Sequence, residues 1–292
     1  MKLAALAAAA ALAGPFYADP DSDAERQAHR YENRDRPVAA QLMRSLSAIP
    51  QAFWLTSGSA KEVREQVDRI VDKATRAKAV AILVAYNVPN RDCGGYSAGG
   101  ARHYRRWIDG FARGVKDRRA VIVVEPDAVA AGCVKLDHVH DAVMRLTRLK
   151  HAAVYIDAGH SRWQPATKMA RRLKEVAIAK ADGFALNVSN FRATDEIVAY
   201  GTDLSNRLNG AHFVVDTSRN GQGPYKTHWC NPPGRGLGIP PTSQTGNLLV
   251  DAFLWIKTPG ESDGECGDGP RAGRWWPHYA LGLARRANPP LP

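Results

Sequence analysis

Seven short apolar runs recur along the chain, and helical patterns separate most of them. The runs cover residues 52–55, 80–88, 120–127, 152–157, 183–188, 211–216 and 249–257. Several place Val, Ile, Leu and Ala on consecutive positions, as a strand buried on both faces does. Amphipathic segments lie near 60–78, 100–117, 136–150, 165–181 and 193–209. In the first, Val63, Val67, Ile70, Val71 and Ala74 recur at helical spacing. Ser59, Asp137 and Thr194 stand where N-caps are expected. Strands alternating with helices imply right-handed βαβ units and a parallel sheet. Seven of them predict an α/β fold: a distorted seven-stranded parallel (β/α) barrel, TIM-like, closed or nearly so. An open doubly wound sheet is the competing arrangement. No G-x-G-x-x-G follows the first strand, and no G-x-x-x-x-G-K-[ST] occurs. Dinucleotide and nucleoside triphosphate chemistry are therefore not indicated.

The 292 residues suit one large domain with an ample core. Residues 1–13 hold one Lys among Ala, Leu and Met, and Leu12-Ala13-Gly14-Pro15 could mark a small-residue cleavage site. A short signal segment over 1–13 and a secreted domain over 14–292 are expected. No other stretch reaches the ~18 apolar residues of a membrane span. The four cysteines, Cys93, Cys133, Cys230 and Cys266, form no C-x-x-C pair and no zinc spacing. Two disulfides are the simple reading for a secreted chain. Three pairings are possible, and sequence order with loop neighbourhood favours Cys93–Cys133 and Cys230–Cys266. The net charge of +11 raises nucleic acid or an anionic envelope as a partner. The cations lie mainly on expected outer helix faces, as in Arg102-His103-Tyr104-Arg105-Arg106 and Arg171-Arg172-Leu173-Lys174. They read as solvated helix surface, so no nucleic-acid partner is expected, and a monomer is.

Candidate chemistry lies where the apolar runs end. Val121-Ile122-Val123-Val124 is followed by Glu125-Pro126-Asp127, and Pro126 stops the strand. The other runs end in Tyr86-Asn87, Asp157-Ala158-Gly159-His160, Asn187-Val188-Ser189-Asn190, Asp216-Thr217-Ser218-Arg219 and Lys257, with Glu261 and Asp263 just beyond. In a parallel barrel these groups share one face. Crowded carboxylates in a partly dry cleft cannot all ionise, so at least one should stay protonated near neutrality. A protonated acid beside ionised ones is what glycosidic cleavage needs. Calcium or magnesium is the rival use of such oxygens. No D-x-D-x-D-G loop is present, and Lys257 and Arg219 would oppose a cation, so neither a metal nor a cofactor is expected. Trp54, Trp163 and Trp229 fall in or beside these loops, as do Trp275 and Trp276, and indoles stack on the flat faces of sugars.

Longer stretches carry a resemblance. Gly14-Pro-Phe-Tyr-Ala-Asp-Pro-Asp, Tyr86-Asn-Val-Pro-Asn-Arg-Asp-Cys-Gly-Gly-Tyr-Ser-Ala-Gly-Gly, Val124-Glu-Pro-Asp, Tyr155-Ile-Asp-Ala-Gly-His-Ser, Asn187-Val-Ser-Asn, Asp216-Thr-Ser-Arg-Asn-Gly and Trp255-Ile-Lys-Thr-Pro-Gly-Glu-Ser-Asp-Gly run in order over nearly the whole chain. Together they resemble the catalytic domain of glycoside hydrolase family 6, the cellulases that invert at the anomeric carbon.

The resemblance implies a set of roles. Asp127 matches the general acid. Asp92 matches an aspartate that helps keep that acid protonated, and Asp263 matches the usual candidate base. A water relay through Ser97 and Asp92 is the alternative base. Tyr86 matches a tyrosine that distorts the sugar at the cleavage point. Asp157 and His160 match polar groups lining the cleft, with Asn187 and Asn190 among the substrate-binding candidates. Lys257 and Glu261 match contacts to substrate hydroxyls. Trp54, Trp163 and Trp229 match stacking platforms. Glu125 reads as structural. Ala128 stands where Ser is common in the family, and Thr258 where Pro is common; neither change removes a reactive group.

Residues 128–135 and 259–273, where exo-acting members carry tunnel-forming loops, are short here. An open cleft and endo-acting cleavage of β-1,4-glucan are expected. An exo-acting cellobiohydrolase and a catalytically weak, secreted glucan-binding protein are the alternatives.

Overall fold

The computed structural model describes residues 12–94 and 99–291. Seven strands form one parallel sheet in chain order. They are β1 (Phe53–Leu55), β2 (Ala81–Ala85), β3 (Ala120–Val124), β4 (Ala152–Asp157), β5 (Gly183–Leu186), β6 (His212–Asp216) and β7 (Val250–Leu254). The helices are α1 (Asp23–Glu32), α2 (Pro37–Ser47), α3 (Ala60–Arg76), α4 (Ala101–Val115), the one-turn α5 (Ala128–Ala131), α6 (Leu136–Leu146), α7 (Ala166–Glu175), α8 (Thr194–Arg207) and α9 (Pro277–Arg285). No ladder joins β1 to β7. That seam is spanned by Ala52 N–H donating to Trp255 O (2.9 Å) and Trp54 Nε1–H donating to Ile256 O (2.7 Å). The barrel is thus distorted and nearly closed, which excludes the doubly wound sheet.

Strand alternation divides the core. Ile82, Val84, Val121, Val123, Ala153 and Tyr155 point into the barrel. Leu83, Ile122, Val124, Val154 and Ile156 point outward and pack under the helices. Both sets are fully buried, which is why these strands read as unbroken apolar runs. A third cluster joins α1, α2 and α9 around Met43, Leu46 and Trp255. Helices α3 and α4 press closely together. A Cβ at Gly110 would lie 2.2 Å from Ala60 O, so only glycine fits there.

The strands stop earlier than the apolar pattern. The expected 80–88, 120–127, 183–188 and 249–257 shorten to the ranges above because the chain turns into left-handed backbone just past β3 and β5. Glu125 has φ 48°, Asp127 φ 69° and Asn187 φ 66°. Residues such as Val88 and Ile256 stay buried without pairing in the sheet. Ser59 caps α3 in a capping box: its Oγ accepts from Glu62 N (3.2 Å), and Glu62 Oε2 accepts from Ser59 N (2.7 Å). The other two expected caps are corrected. Lys135 and Ala193 occupy those positions, and Asp137 and Thr194 fall in the first turns. Thr194 Oγ1 instead accepts from Asn220 Nδ2 (2.9 Å).

Both favoured disulfides, Cys93–Cys133 and Cys230–Cys266, are formed. The second pins the long loop between β6 and β7. No helix among the described residues is long and apolar enough to cross a membrane. Most of the expected signal segment, and Ser97, lie outside the described residues.

Candidate active site

Buried polar groups at the strand ends first fix the loops. The Glu125 carboxylate, beyond β3, accepts from Asn87 N (2.9 and 3.1 Å), Val88 N (3.0 Å) and Tyr104 Oη (2.8 Å). It therefore binds the β2 loop from inside and has no access to a ligand, as its structural reading required. Asp216, ending β6, accepts four backbone N–H groups: Ser218 (2.9 Å) and Ile256 (3.2 Å) on Oδ1, and Ser189 (3.0 Å) and Lys257 (2.9 Å) on Oδ2. It ties together the ends of β5, β6 and β7. Asn187 spends its amide on Arg192 O, Asp216 O and Arg192 N (3.1, 2.9 and 3.1 Å) and is fully buried. It thereby braces the loop that follows β5. Left-handed backbone at Asn187 and Ser189 bends that loop onto these partners.

Asp157, at the end of β4, is fully buried behind Asp127. Its Oδ2 accepts from Asp127 N (2.8 Å) and Gly159 N (3.2 Å). Among the described residues its Oδ1 has no hydrogen-bond partner. Burial, and then the charge of Asp127, push its carboxyl well above the usual range.

Asp127 stands at the N-cap position of α5, just past β3, makes no side-chain capping bond and is only partly exposed. Burial raises its carboxyl to about 7, and the negative fields of Asp92 and Asp263 add to the shift. Three acids from separate loops thus act on one point. Asp92 lies on an exposed turn, Arg91–Gly94, with φ 52° at Asp92 and 56° at Cys93. Tyr86 Oη donates to Asp92 Oδ1, and the Arg91 guanidinium lies 4.5 Å over the Tyr86 ring. Burial raises the Tyr86 phenol strongly, with Asp127 the next cause, so it remains a donor. The Cys93–Cys133 bond and Asn90 Nδ2–H donating to Cys133 O (2.8 Å) tie this turn to the segment after α5.

Asp263 is held among cations. Its Oδ2 accepts from Arg219 Nη1 (2.9 Å) and Asn231 N (3.0 Å), and its Oδ1 is 4.0 Å from Lys257 Nζ. Arg219 is fully buried and lies 4.3 Å over the Phe191 ring. Glu261 Oε2 is 3.7 Å from Lys257 Nζ. Burial lowers the Lys257 ammonium and raises the Glu261 carboxyl.

The remaining candidates have the following surroundings. Trp54 packs edge-on to Tyr86 (5.2 Å between centroids) with Lys257 Nζ 5.9 Å from its ring. Trp163 and Trp229 are 37% and 61% exposed, and the Trp163 ring lies 5.6 Å from that of His160. Burial, then Arg192, lowers His160 to about 4, so the ring is neutral at pH 7. Its Nδ1 accepts from Arg162 N (3.2 Å), which puts the ring proton on Nε2. Asn190 is half-buried, and its Oδ1 accepts from Phe191 N (2.9 Å).

A profile of glycosyl hydrolases family 6 matches residues 12–287. The chain belongs to that family. It is 43% identical to endoglucanase A of Thermobispora bispora over 94% of the chain, and 42% identical to endoglucanase 1 of Streptomyces halstedii over 91%. It spans 63% of the first relative's length and 87% of the second's, and 61% of an endoglucanase A from Cellulomonas fimi. Among solved structures, it is 46% identical to the endoglucanase Cel6 of Mycobacterium tuberculosis in complex with methyl-cellobiosyl-4-deoxy-4-thio-β-D-cellobioside. That match has a TM-score of 0.89 and covers 94% of this chain and 98% of the other.

Within this family 6 chain, sequence reasoning overlooked Asn231. Beyond its contacts to Asp263, its Nδ2 donates to Ser262 Oγ, Gly264 O and Cys266 O (3.0, 2.8 and 3.0 Å). It thus couples the long loop to Asp263. The one available signal was its place directly after Cys230, whose partner Cys266 lies three residues past Asp263.

Proposed function

We propose that this chain is a secreted, monomeric endo-β-1,4-glucanase that cleaves internal bonds of a cellulose-like glucan with inversion. The observation that carries the reading is the position of Asp127: a partly exposed carboxyl at the end of β3, under the combined fields of Asp92 and Asp263. Asp127 gives its proton to the departing glycosidic oxygen. Water attacks the opposite face of the anomeric carbon, and its proton passes to Asp263 or through the Asp92 and Ser97 relay. Tyr86 presses the reacting sugar out of its relaxed chair. Lys257, Glu261, Asn190 and His160 hold hydroxyls, and Trp54, Trp163 and Trp229 stack on the rings.

Endo action is supported by the single turn of α5, after which Gly132 ends the helix, and by the exposure of Trp163 and Trp229. Endoglucanase relatives at 39–43% identity support it further, whereas four cellobiohydrolase relatives are 30–34% identical. Two readouts test the reading. Loss of viscosity of soluble carboxymethyl-cellulose should outrun release of reducing ends, and the first product seen by NMR should carry the inverted anomer. Net retention, or reducing ends released with little loss of viscosity, would sink it.

The pH profile follows from the same geometry. The acid must be protonated, so kcat/KM should fall as pH rises through about 7. Asp92→Asn removes one of the fields that raise Asp127. Its alkaline limb should therefore move to lower pH, as initial rates from pH 4 to 9 would reveal; an unmoved limb contradicts this role for Asp92.

A further inference from the structure

The two basic runs of the sequence occupy opposite ends of their helices. Arg171 and Lys174 lie toward the C-terminus of α7, where cations complement the helix dipole. Arg102, His103, Arg105 and Arg106 lie in the first two turns of α4, the end at which the dipole repels cations, and no acid sits in its first turn. Arg102 and Arg106 are also an i,i+4 pair of like charge. Lys135 stands at the N-cap of α6, whose first turn also carries Asp137. Among the described residues Arg105 pairs with Asp141 (3.0 Å), while Arg102, Arg106 and Lys135 have no ion-pair partner. Two of these cations, Lys135 and Arg105, act on His138: after burial they are the main causes that hold it below its usual range, against the opposing charges of Asp141 and Asp137.

Their position matters because α4 and α6 begin on the face where the strands end. Lys135 is two residues from Cys133, and Cys133 is bonded to Cys93, the neighbour of Asp92. The exposed cations therefore form a lip of the cleft beside Asp92. The start of α4 thus carries exposed positive charge with no acid in its first turn.

We propose that this lip binds carboxylates carried by the polymer, so that the favoured substrate is an acidic β-1,4-glucan, one bearing uronate or similar carboxylate groups. The proposal rests on the glucanase reading above. Guanidinium groups take carboxylates through paired hydrogen bonds, and a neutral glucan gains little from such a rim.

The test compares carboxymethyl-cellulose with hydroxyethyl-cellulose of similar chain length. Wild type should show the lower KM on the anionic polymer at low salt and lose that advantage near 0.5 M NaCl, where exposed charges are screened within about 5 Å. The triple variant Arg102→Glu, Arg106→Glu, Lys135→Glu should raise KM on the anionic polymer about tenfold at low salt and leave the neutral polymer within about twofold. The control triple Arg171→Glu, Lys174→Glu, Arg207→Glu makes the same change in net charge in an outer groove between α7 and α8, two of its residues at the helix ends remote from the cleft. It should alter neither KM appreciably. Equal effects of the two triples, or no preference in wild type, would overturn the proposal. Cleavage of neither polymer would instead remove the glucanase reading, and this proposal with it.

Discussion

Asp127→Asn is expected to lower kcat on unactivated β-glucan by about 10³-fold while changing KM little. An amide cannot protonate the departing oxygen, and general acid catalysis is worth roughly 10²–10⁴-fold. Binding is expected to survive because Trp54, Trp163 and Trp229, the proposed stacking residues, lie on other segments of the chain, Trp54 in β1. The same change has an opposite effect on stability. In the folded chain the Asp127 carboxyl titrates at about 7, above its value in the unfolded chain near 3.9. Between those values the folded state binds more protons, so this group costs stability as pH rises through that window. Asn removes the cost. The variant should melt above wild type at pH 7, and the gap should close near pH 4. Substrate kinetics and melting curves at both pH values check the pair. Near-normal turnover by the variant would remove Asp127 from the mechanism.

Asp216→Ala is expected to produce the largest loss of stability of any single change considered. It strands four backbone N–H groups, those of buried Ser218, Ile256 and Lys257 and of part-buried Ser189. Each unsatisfied donor costs about 1–3 kcal/mol, and partial relaxation leaves on the order of 4 kcal/mol in total. Roughly a 10 °C fall in Tm follows for a domain of this size. Activity should fall at temperatures well below the new Tm, because Lys257 and Ser189 lose their anchors and Arg219, which donates to Ser189 O, positions Asp263. Thermal melting followed by circular dichroism reads the first effect. A variant that melts within 2 °C of wild type, by that same size relation, would show that the four amides find other partners.

Much of this architecture was legible in the linear order of residues. A strand buried on both faces must be apolar at every position, so Val121–Val124 and their counterparts identify themselves. Strand and helix in alternation leave few topologies, and the polar residues that end each run then have to meet on one face. The strand limits were less legible. Val88 and Ile256 are as buried as any strand residue, yet they lie outside the ladder, because burial depends on the surroundings and pairing depends on φ and ψ. The acids also divided in a way that residue type could not reveal. Asp127 and Asp157 each end a run in similar motifs. One reaches the cleft, and the other is sealed behind it, accepting the first one's backbone N–H.

The chain by itself determined which residues could do chemistry and that they would gather at the carboxyl ends of parallel strands, because periodicity and turn residues act locally. Only the tertiary structure decided which of those residues face the cleft and which are spent on backbone amides. It also decided that Asp263 would lie between Arg219 and Lys257. Those outcomes depend on how loops distant in sequence pack around one point, and on how strongly burial and neighbouring charge act there, and neither is written in any single stretch of residues.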